Sequence, residues 1–385
     1  MTKEQSGQRK LKVGVIFGGR SGEHEVSLQS AQSVMAALDR TKYEVVPIGI
    51  TRDGRWLTGD PMLALASGAE SAGANFATTA TLLPDPQARS LMQMEMQEMR
   101  PANLTAVTEL DVIIPVLHGT YGEDGTVQGL LELADMPYVG AGVVGSAVGM
   151  DKAIFKHVMT ANGIPVLPWR LFTRTDWQQR CEAVLAEIET VLTYPVFTKP
   201  ANLGSSVGIS KCRHRAELVA GMNEAAQYDR RIVVEQGINV RELEVSVLGN
   251  DAPIASVVGE IRPRRDFYDY AAKYLAEPGS EDESELIIPA ELDGETADHI
   301  RHLAIRAYKA IDCAGLGRVD MLMDKETGDL YLNEINTIPG FTTISMYPKL
   351  WAATGISYTE LLDKLIDLAI ERFEEKGELK QTFET

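Results

Sequence analysis

In the segment GRVDMLMDKETGDLYLNEINTIPG, two strand-like runs flank a turn signalled by Gly328, a pattern that predicts a β-hairpin. Folded about Thr327, the hairpin sets Asp320 opposite Glu334, and Asn336, two residues on, shares the face of Glu334. Two carboxylates facing one another across a ladder repel, so in a partly buried site they call for a compensating cation. Magnesium suits that donor set: it takes hard oxygen ligands, commonly draws one or two carboxylates from protein, and leaves its other positions to water and substrate phosphates. The alternative is a pair of solvated carboxylates on an exposed sheet face, and the hairpin by itself does not choose between the two.

The stretch KPANLGSSVGISK adds a second chemical feature. Gly204 and Gly208 allow close backbone approach to a ligand, and Ser205 and Ser206 offer hydroxyl and N–H donors to phosphate oxygens. Lys199 stands just before this loop. No GxxxxGK[ST] string occurs, so this is not a P-loop, and taken alone a Gly/Ser-rich hairpin tip is an ordinary flexible turn. Near the N-terminus, FGGRSGEHEVSLQSAQ leaves a strand and enters a helix whose first turn carries Glu23 and Glu25. Carboxylates there either satisfy the helix dipole or hold a substrate cation at the carboxyl edge of a sheet. The strand VIIPVLHG delivers His118 to the same edge. The string GAGVVG from Gly140 to Gly145 satisfies GxGxxG, but it follows at least three strands and has no carboxylate about twenty residues on, where a dinucleotide fold needs one. Close helix packing and a tight turn are its expected roles.

These residues need a frame. Apolar runs Lys12 to Phe17, Tyr43 to Ile50 and Asp111 to Leu117 are rich in β-branched residues and spaced for intervening helices, which predicts an open parallel α/β sheet. The stretch from Gly59 to Asn103 has weak periodicity, and its MQMEMQEM run reads as helix or loop. From Asp151 the pattern changes to a helix, DKAIFKHVMTANG, closed by a glycine and an Ile-Pro pair. YPVFTKP, VGISK and RIVVEQGI are then strands, ELEVSVLG and PIASVVGEI alternate as strands of a further unit, and YTELLDKLIDLAIERF is an amphipathic packing helix. The expected division is 1–150, 151–240 and 241–385.

With 385 residues, two or three cores are expected. The formal charge of -18 disfavours a nucleic-acid partner. Cys181, Cys212 and Cys313 show no CxxC spacing, which fits a reducing compartment. The polar start MTKEQSGQRK lacks a signal-peptide core, and no apolar run approaches spanning length, so a soluble cytoplasmic protein without membrane contact is expected.

Together, LKVGVIFGGRSGEHEVS, LHGTYGEDGTVQGLLEL, KPANLGSSVGISK, FYDYAAKY and NEINTIPGFTTISMYP, in this order and over nearly the whole chain, resemble the D-alanine:D-alanine ligase family of the ATP-grasp superfamily. The resemblance implies an N-terminal α/β domain followed by two α+β domains that clasp ATP. It makes Lys152, Lys199 and Lys273 phosphate contacts, with Ser205 and Ser206 in the phosphate loop. Glu235 resembles the adenine-amine acceptor, beside Gln236 and Ile238 in the hinge, and Glu242 the ribose ligand. Asp320, Glu334 and Asn336 match the ligands of one or two magnesium ions, with manganese as an alternative. Glu23 holds the first substrate's ammonium, with His118 beside it, while Ser345 and the backbone of Met346 receive the second substrate's carboxylate. Arg318 and the Gly340 N–H stabilise an oxyanion. Glu23, Ser205 and Tyr274 form a hydrogen-bonded trio that closes a loop running roughly from Arg262 to Pro278. A homodimer is also implied. Two departures stand out: Gln236 replaces a lysine of some members, and the Gly59 to Asn103 stretch is longer than in the shortest.

The activity this implies is ATP-driven joining of two D-alanines through an acyl phosphate for peptidoglycan precursor synthesis. D-lactate in place of the second D-alanine is the nearest rival and is disfavoured by Tyr274. A nucleotide-binding module without ligase activity is the rival from another class.

Overall fold

The computed structural model describes residues 9–66, 77–97, 100–263 and 284–380. They form three β-sheets, each with helices against it.

In the first sheet, β1 (Leu11–Gly18) lies between β2 (Tyr43–Ile50) and β7 (Val112–Val116), parallel to both. These are the three apolar runs read from the sequence. β1 is buried from Val13 onward because both faces are covered: Val13, Val15 and Phe17 join one core and Ile16 the other. The first core is filled by α1 (His24–Ala37), and the second includes Val127 and Leu131 of α3 (Thr126–Leu133).

The three parallel strands are part of a larger mixed sheet that includes the stretch left unplaced by its sequence. Beyond β2, four further strands, β3 (Trp56–Gly59), β4 (Ala77–Leu82), β5 (Ser90–Gln97) and β6 (Arg100–Glu109), add antiparallel to make a sheet of seven. The MQMEMQ run, expected as helix or loop, is strand β5. Its alternation of Met with Gln or Glu is a period-two pattern that local composition disguised. The short links β4–β5 and β5–β6 allow only antiparallel pairing, since a parallel return needs a long crossover.

α4 (Val143–Met150) and α5 (Lys152–Ala161) lead into the second sheet, ordered β10-β9-β11-β8 and antiparallel: β8 (Trp169–Thr173), β9 (Val196–Pro200), β10 (Ser210–Cys212) and β11 (Arg231–Gln236). Its core is closed by α6 (Arg174–Val191) and α7 (Arg215–Tyr228). The Asp151 carboxylate caps α5 by accepting from the N–H groups of Ala153 and Ile154.

The third sheet, β14-β13-β12-β15-β16, comprises β12 (Val240–Leu248), β13 (Ile254–Arg262), β14 (Glu285–Ile287), β15 (Leu316–Asp324) and β16 (Leu330–Asn336). One face packs on α5 and α8 (Gly294–Ala310), and Met346 and Leu350 of α9 (Met346–Thr354) pack with Ile261 of β13. The last helix, α10 (Tyr358–Glu378), does not serve the third sheet alone. Its Leu361, Leu362, Leu365 and Ile366 sit in the core of the first sheet with Val13, Val15 and Val116. Tyr43 OH and Lys42 Nζ both donate to Asp363, at 2.8 and 2.7 Å, fixing α10 to β2.

Candidate active site

Glu23 occupies the N-cap position of α1, yet its side chain makes no capping bond. The carboxylate instead turns to the second sheet's loop, where Ser205 Oγ donates to Glu23 Oε1. Of the two roles read from the sequence, helix-dipole partner and substrate-facing carboxylate, this geometry leaves the carboxylate facing the loop. A β-carbon on Gly119 would lie 2.5 Å from Glu23 Oε2, and one on Gly204 2.9 Å from the same atom. A β-carbon at either position would push that oxygen aside, so the glycines let the two loops close around it where it lies. Glu25, in contrast, is exposed and pairs with Arg52.

His118 follows β7 and is buried. Its Nδ1–H donates to Ile338 O at 2.9 Å, and its Nε2 accepts from Ser30 Oγ at 3.1 Å while that hydroxyl accepts from Phe341 N. These partners fix one tautomer of a neutral ring. Burial pushes the His118 pKa below 6.5, outweighing the nearby charge of Glu23. The imidazole thus ties the first sheet to the chain leaving β16. Sequence reasoning assigned no role to Glu123. It is buried, accepts from Gly119 N at 2.6 Å, and is pushed well above its ordinary pKa by burial and by Glu23. Burial and the neighbouring Glu23 therefore favour the uncharged form of Glu123. Nothing in the sequence separated it from its half-buried neighbour Asp124, because only the degree of burial distinguishes them.

The Gly/Ser loop joins β9 to the strand that pairs with it antiparallel, as read from the sequence. Ser205 and Ser206 hold φ of 52° and 59°, conformations uncommon for residues with a β-carbon and costing about 1–3 kcal/mol each. Lys152 Nζ donates to Leu203 O at 2.7 Å, placing the first of the expected phosphate lysines against this loop. Lys199, on β9, donates to Glu235 on β11, and Lys156 donates to the other oxygen of the same carboxylate. Burial opposes ionisation of Glu235, but the two ammonium groups prevail and hold its pKa near 2. The Gln236 amide is committed to its own hinge: Nε2 donates to Thr193 O at 2.7 Å and Gly237 O at 2.9 Å, and Oε1 accepts from Thr193 N at 2.9 Å. The Gln236 backbone N–H donates to Pro168 O at 2.9 Å. Ile238 is half-buried just beyond, and Glu242 lies half-buried on β12.

In the third sheet the hairpin register agrees with the sequence reading: Asp320 on β15 is the partner of Glu334 on β16, and Arg318 is the partner of Asn336. A register shift follows Asp320 on the β16 side. A third carboxylate, missed earlier, extends the row, since Glu244 on β12 partners Asp320 on the other side. Arg318 supplies the positive charge for this row. Its Nε and Nη2 fork onto the two oxygens of Asp320 at 2.8 and 2.7 Å, and Nε lies 3.1 Å from Glu244 Oε2. Asn336 Oδ1 accepts from Ile338 N at 3.2 Å. Two carboxylates and an amide oxygen on one hairpin are a hard-oxygen donor set that fits a magnesium-like ion sharing its sphere with phosphate. No group of three or more His, Cys, Asp or Glu side chains arranged to hold a metal occurs among the described residues. Ser345 is the N-cap of α9, and its Oγ accepts from Thr342 N at 3.1 Å and lies 3.0 Å from where a Gly340 β-carbon would stand. Gly340, Ser345 and the Met346 backbone are thus neighbours, while the Met346 side chain is buried. Lys273, Tyr274 and most of the stretch from Arg262 to Pro278 lie outside the described residues.

The three sheets meet electrostatically. Glu123 senses Glu23 and Glu334, His118 senses Glu23 and Arg318, and Lys156 senses Glu235, Lys199 and Glu334. The D-ala D-ala ligase N-terminus and C-terminus family descriptions match residues 12–141 and 158–367. The chain belongs to the D-alanine:D-alanine ligase family. A D-alanine–D-alanine ligase of Heliobacterium modesticaldum is 51% identical over 368 residues, covering 95% of this chain and 96% of the relative. One of Ruminiclostridium cellulolyticum is 52% identical over 370 residues, covering 95% and 97%. Among solved structures, a D-Ala:D-Ser ligase from Enterococcus faecalis superposes with a TM-score of 0.81 at 36% identity over 94% of this chain and 100% of that one. A D-alanine-D-alanine ligase from Coxiella burnetii gives 0.80 at 36% identity over 96% and 97%. The fold is that of the ATP-grasp ligases, as the motifs implied.

Family membership also disposes of the GxGxxG string. Gly142 precedes α4, and a β-carbon on Gly145 would lie 2.7 Å from Asp312 O, so the helix packs against backbone there. The glycines serve packing. No described helix is long and apolar enough to cross a membrane.

Proposed function

We propose that the chain joins two D-alanine molecules to D-alanyl-D-alanine, with ATP activating the first carboxylate as an acyl phosphate, in peptidoglycan precursor synthesis in the cytoplasm. The observation that carries this reading is convergence: Glu23 from the first sheet, Ser205 from the second, and Arg318 beside Asp320 and Glu334 from the third belong to one charged cluster.

In this reading the buried Glu23 carboxylate receives the ammonium of the first D-alanine, near Glu123 and His118, whose burial disfavours their charged forms. Attack of a carboxylate on a triphosphate brings negative charges together, so cationic side chains must lower the barrier. Lys152 and Lys199 approach the phosphates, with Lys273 as a further contact, and Arg318 with the Gly340 N–H steadies the oxyanion formed as the second D-alanine's amine displaces phosphate. Ser345 and the Met346 backbone receive the second carboxylate. Glu235, the hinge at Gln236 and Ile238, and Glu242 bind the adenosine end. Asp320, Glu334 and Asn336 would hold one or two magnesium ions, or manganese, whose charge would offset that of the phosphates. Ser205 bonded to Glu23, with Tyr274 completing the trio, excludes water that would hydrolyse the intermediate. A homodimer working on small molecules alone completes the reading.

The test is magnesium-dependent ADP release across D- and L-amino acids and D-hydroxy acids. D-Alanine alone should support full turnover at neutral pH. Preference for D-lactate or D-serine as second substrate would overturn the dipeptide assignment, and no D-alanine-stimulated ADP would overturn the ligase reading.

A further inference from the structure

Glu235 is held by two lysines that differ in what they are free to do. Lys156 and Glu235 are each 2% exposed, whereas Lys199 is 13% exposed. Lys199 stands on β9 next to the phosphate loop, so it can rotate toward a nucleotide. Lys156 cannot follow. It rises from the middle of α5, its backbone carbonyl accepts from Thr160 Oγ1, and its side chain is enclosed. Lys152 and Lys156 lie four residues apart and so on one face of that helix, the first reaching Leu203 O in the loop and the second reaching Glu235. α5 therefore sets the distance between the phosphate loop and the carboxylate on β11.

A single lysine could not serve both needs. When Lys199 turns to phosphate, Glu235 would be left as an unpaired buried anion and would neutralise or move. A second ammonium that stays behind removes that conflict, and each carboxylate oxygen still has a lone pair for another donor.

We propose that Lys156 is a positioning residue: it keeps Glu235 in place when Lys199 leaves for phosphate, and through Glu235 it sets the preference for a purine carrying a 6-amino group. This rests on Glu235 being the base-amine acceptor. The experiment compares kcat/KM with ATP and with ITP, whose base bears a 6-oxo group, in the parent enzyme and in Lys156→Met, Lys156→Gln and Glu235→Gln, alongside ADP and IDP binding by calorimetry and thermal melts. For both Lys156 variants the ATP-over-ITP preference should fall at least about tenfold and the KM for ATP should rise about ten- to hundredfold, with kcat changed far less. A purely structural lysine would lower the melting temperature and leave the preference intact. That result, in whichever Lys156 variant stays folded, overturns the proposal. Glu235→Gln separates the two layers. If it leaves the preference unchanged, the base-amine reading fails and the proposal falls with it. If it abolishes the preference while the Lys156 variants do not, only the role of Lys156 fails.

Discussion

Ser205 Oγ donates to Glu23 Oε1 across 182 positions of sequence, and this bond joins the loop of the second sheet to the carboxyl edge of the first. It converts a flexible Gly/Ser tip into one wall of the site, held in the strained backbone found at Ser205 and Ser206.

That bond should appear as energetic coupling. Ser205→Ala and Glu23→Gln should each raise the KM for the first D-alanine, about tenfold or more, and the double variant should fall short of the product of the two. A double-mutant cycle on kcat/KM is expected to give about 1–3 kcal/mol of coupling. Strictly additive effects would mean that the bond does not matter during turnover.

The carboxylate row makes a different demand. Glu334→Gln and Asp320→Asn should lower D-alanine-dependent ADP release by at least about a hundredfold while nucleotide affinity changes far less. Magnesium titrations of turnover, with ADP binding measured separately, check this. Near-normal ADP release by Glu334→Gln would remove the metal assignment.

Two buried groups at the first-sheet edge give opposite pH signatures. His118 has its folded pKa below 6.5, so on acidification the unfolded chain takes up the proton first and stability falls as pH drops below that value. Glu123 has its folded pKa well above 4.5, so its contribution is complete below 4.5 and is lost as pH rises through the folded value. Glu123→Gln cannot ionise, and its melting temperature should hold at about pH 8 relative to about pH 5 better than the parent's, by roughly 2–4 °C for each kcal/mol involved. Parallel melting curves against pH for the two proteins would sink the assignment of a buried neutral carboxyl.

The Gly140 to Gly145 string offers a structural control. Gly145→Ala places a β-carbon 2.7 Å from Asp312 O and should cost about 1–3 kcal/mol in urea unfolding. NAD(H) should not bind either protein, and measurable affinity lost on the substitution would revive the dinucleotide reading.

Much of the local geometry around the candidate residues was readable because its signals are local. The hairpin register of Asp320 and Glu334 follows from a turn at Gly328 and a period of two, and neither depends on distant residues. The strands flanking the Gly/Ser loop and the three parallel runs carried their own patterns. Strand β5 was misread because Met, Gln and Glu suit a helix, and only pairing with β4 and β6 made it a strand. Glu123, Glu244 and Lys156 were passed over because acidic residues and lysines are common on surfaces, and burial is not a property of sequence position.

By itself the sequence determined the family, the order of the sheets along the chain and the pairing within the hairpin, since motifs, turns and strand periodicity act between near neighbours. Tertiary structure alone decided that α10 closes the core of the first sheet, that Arg318 forks onto Asp320, and that Lys156 is enclosed against Glu235. Those outcomes depend on which apolar faces meet and which charges lose water together, and that is settled only when distant segments pack.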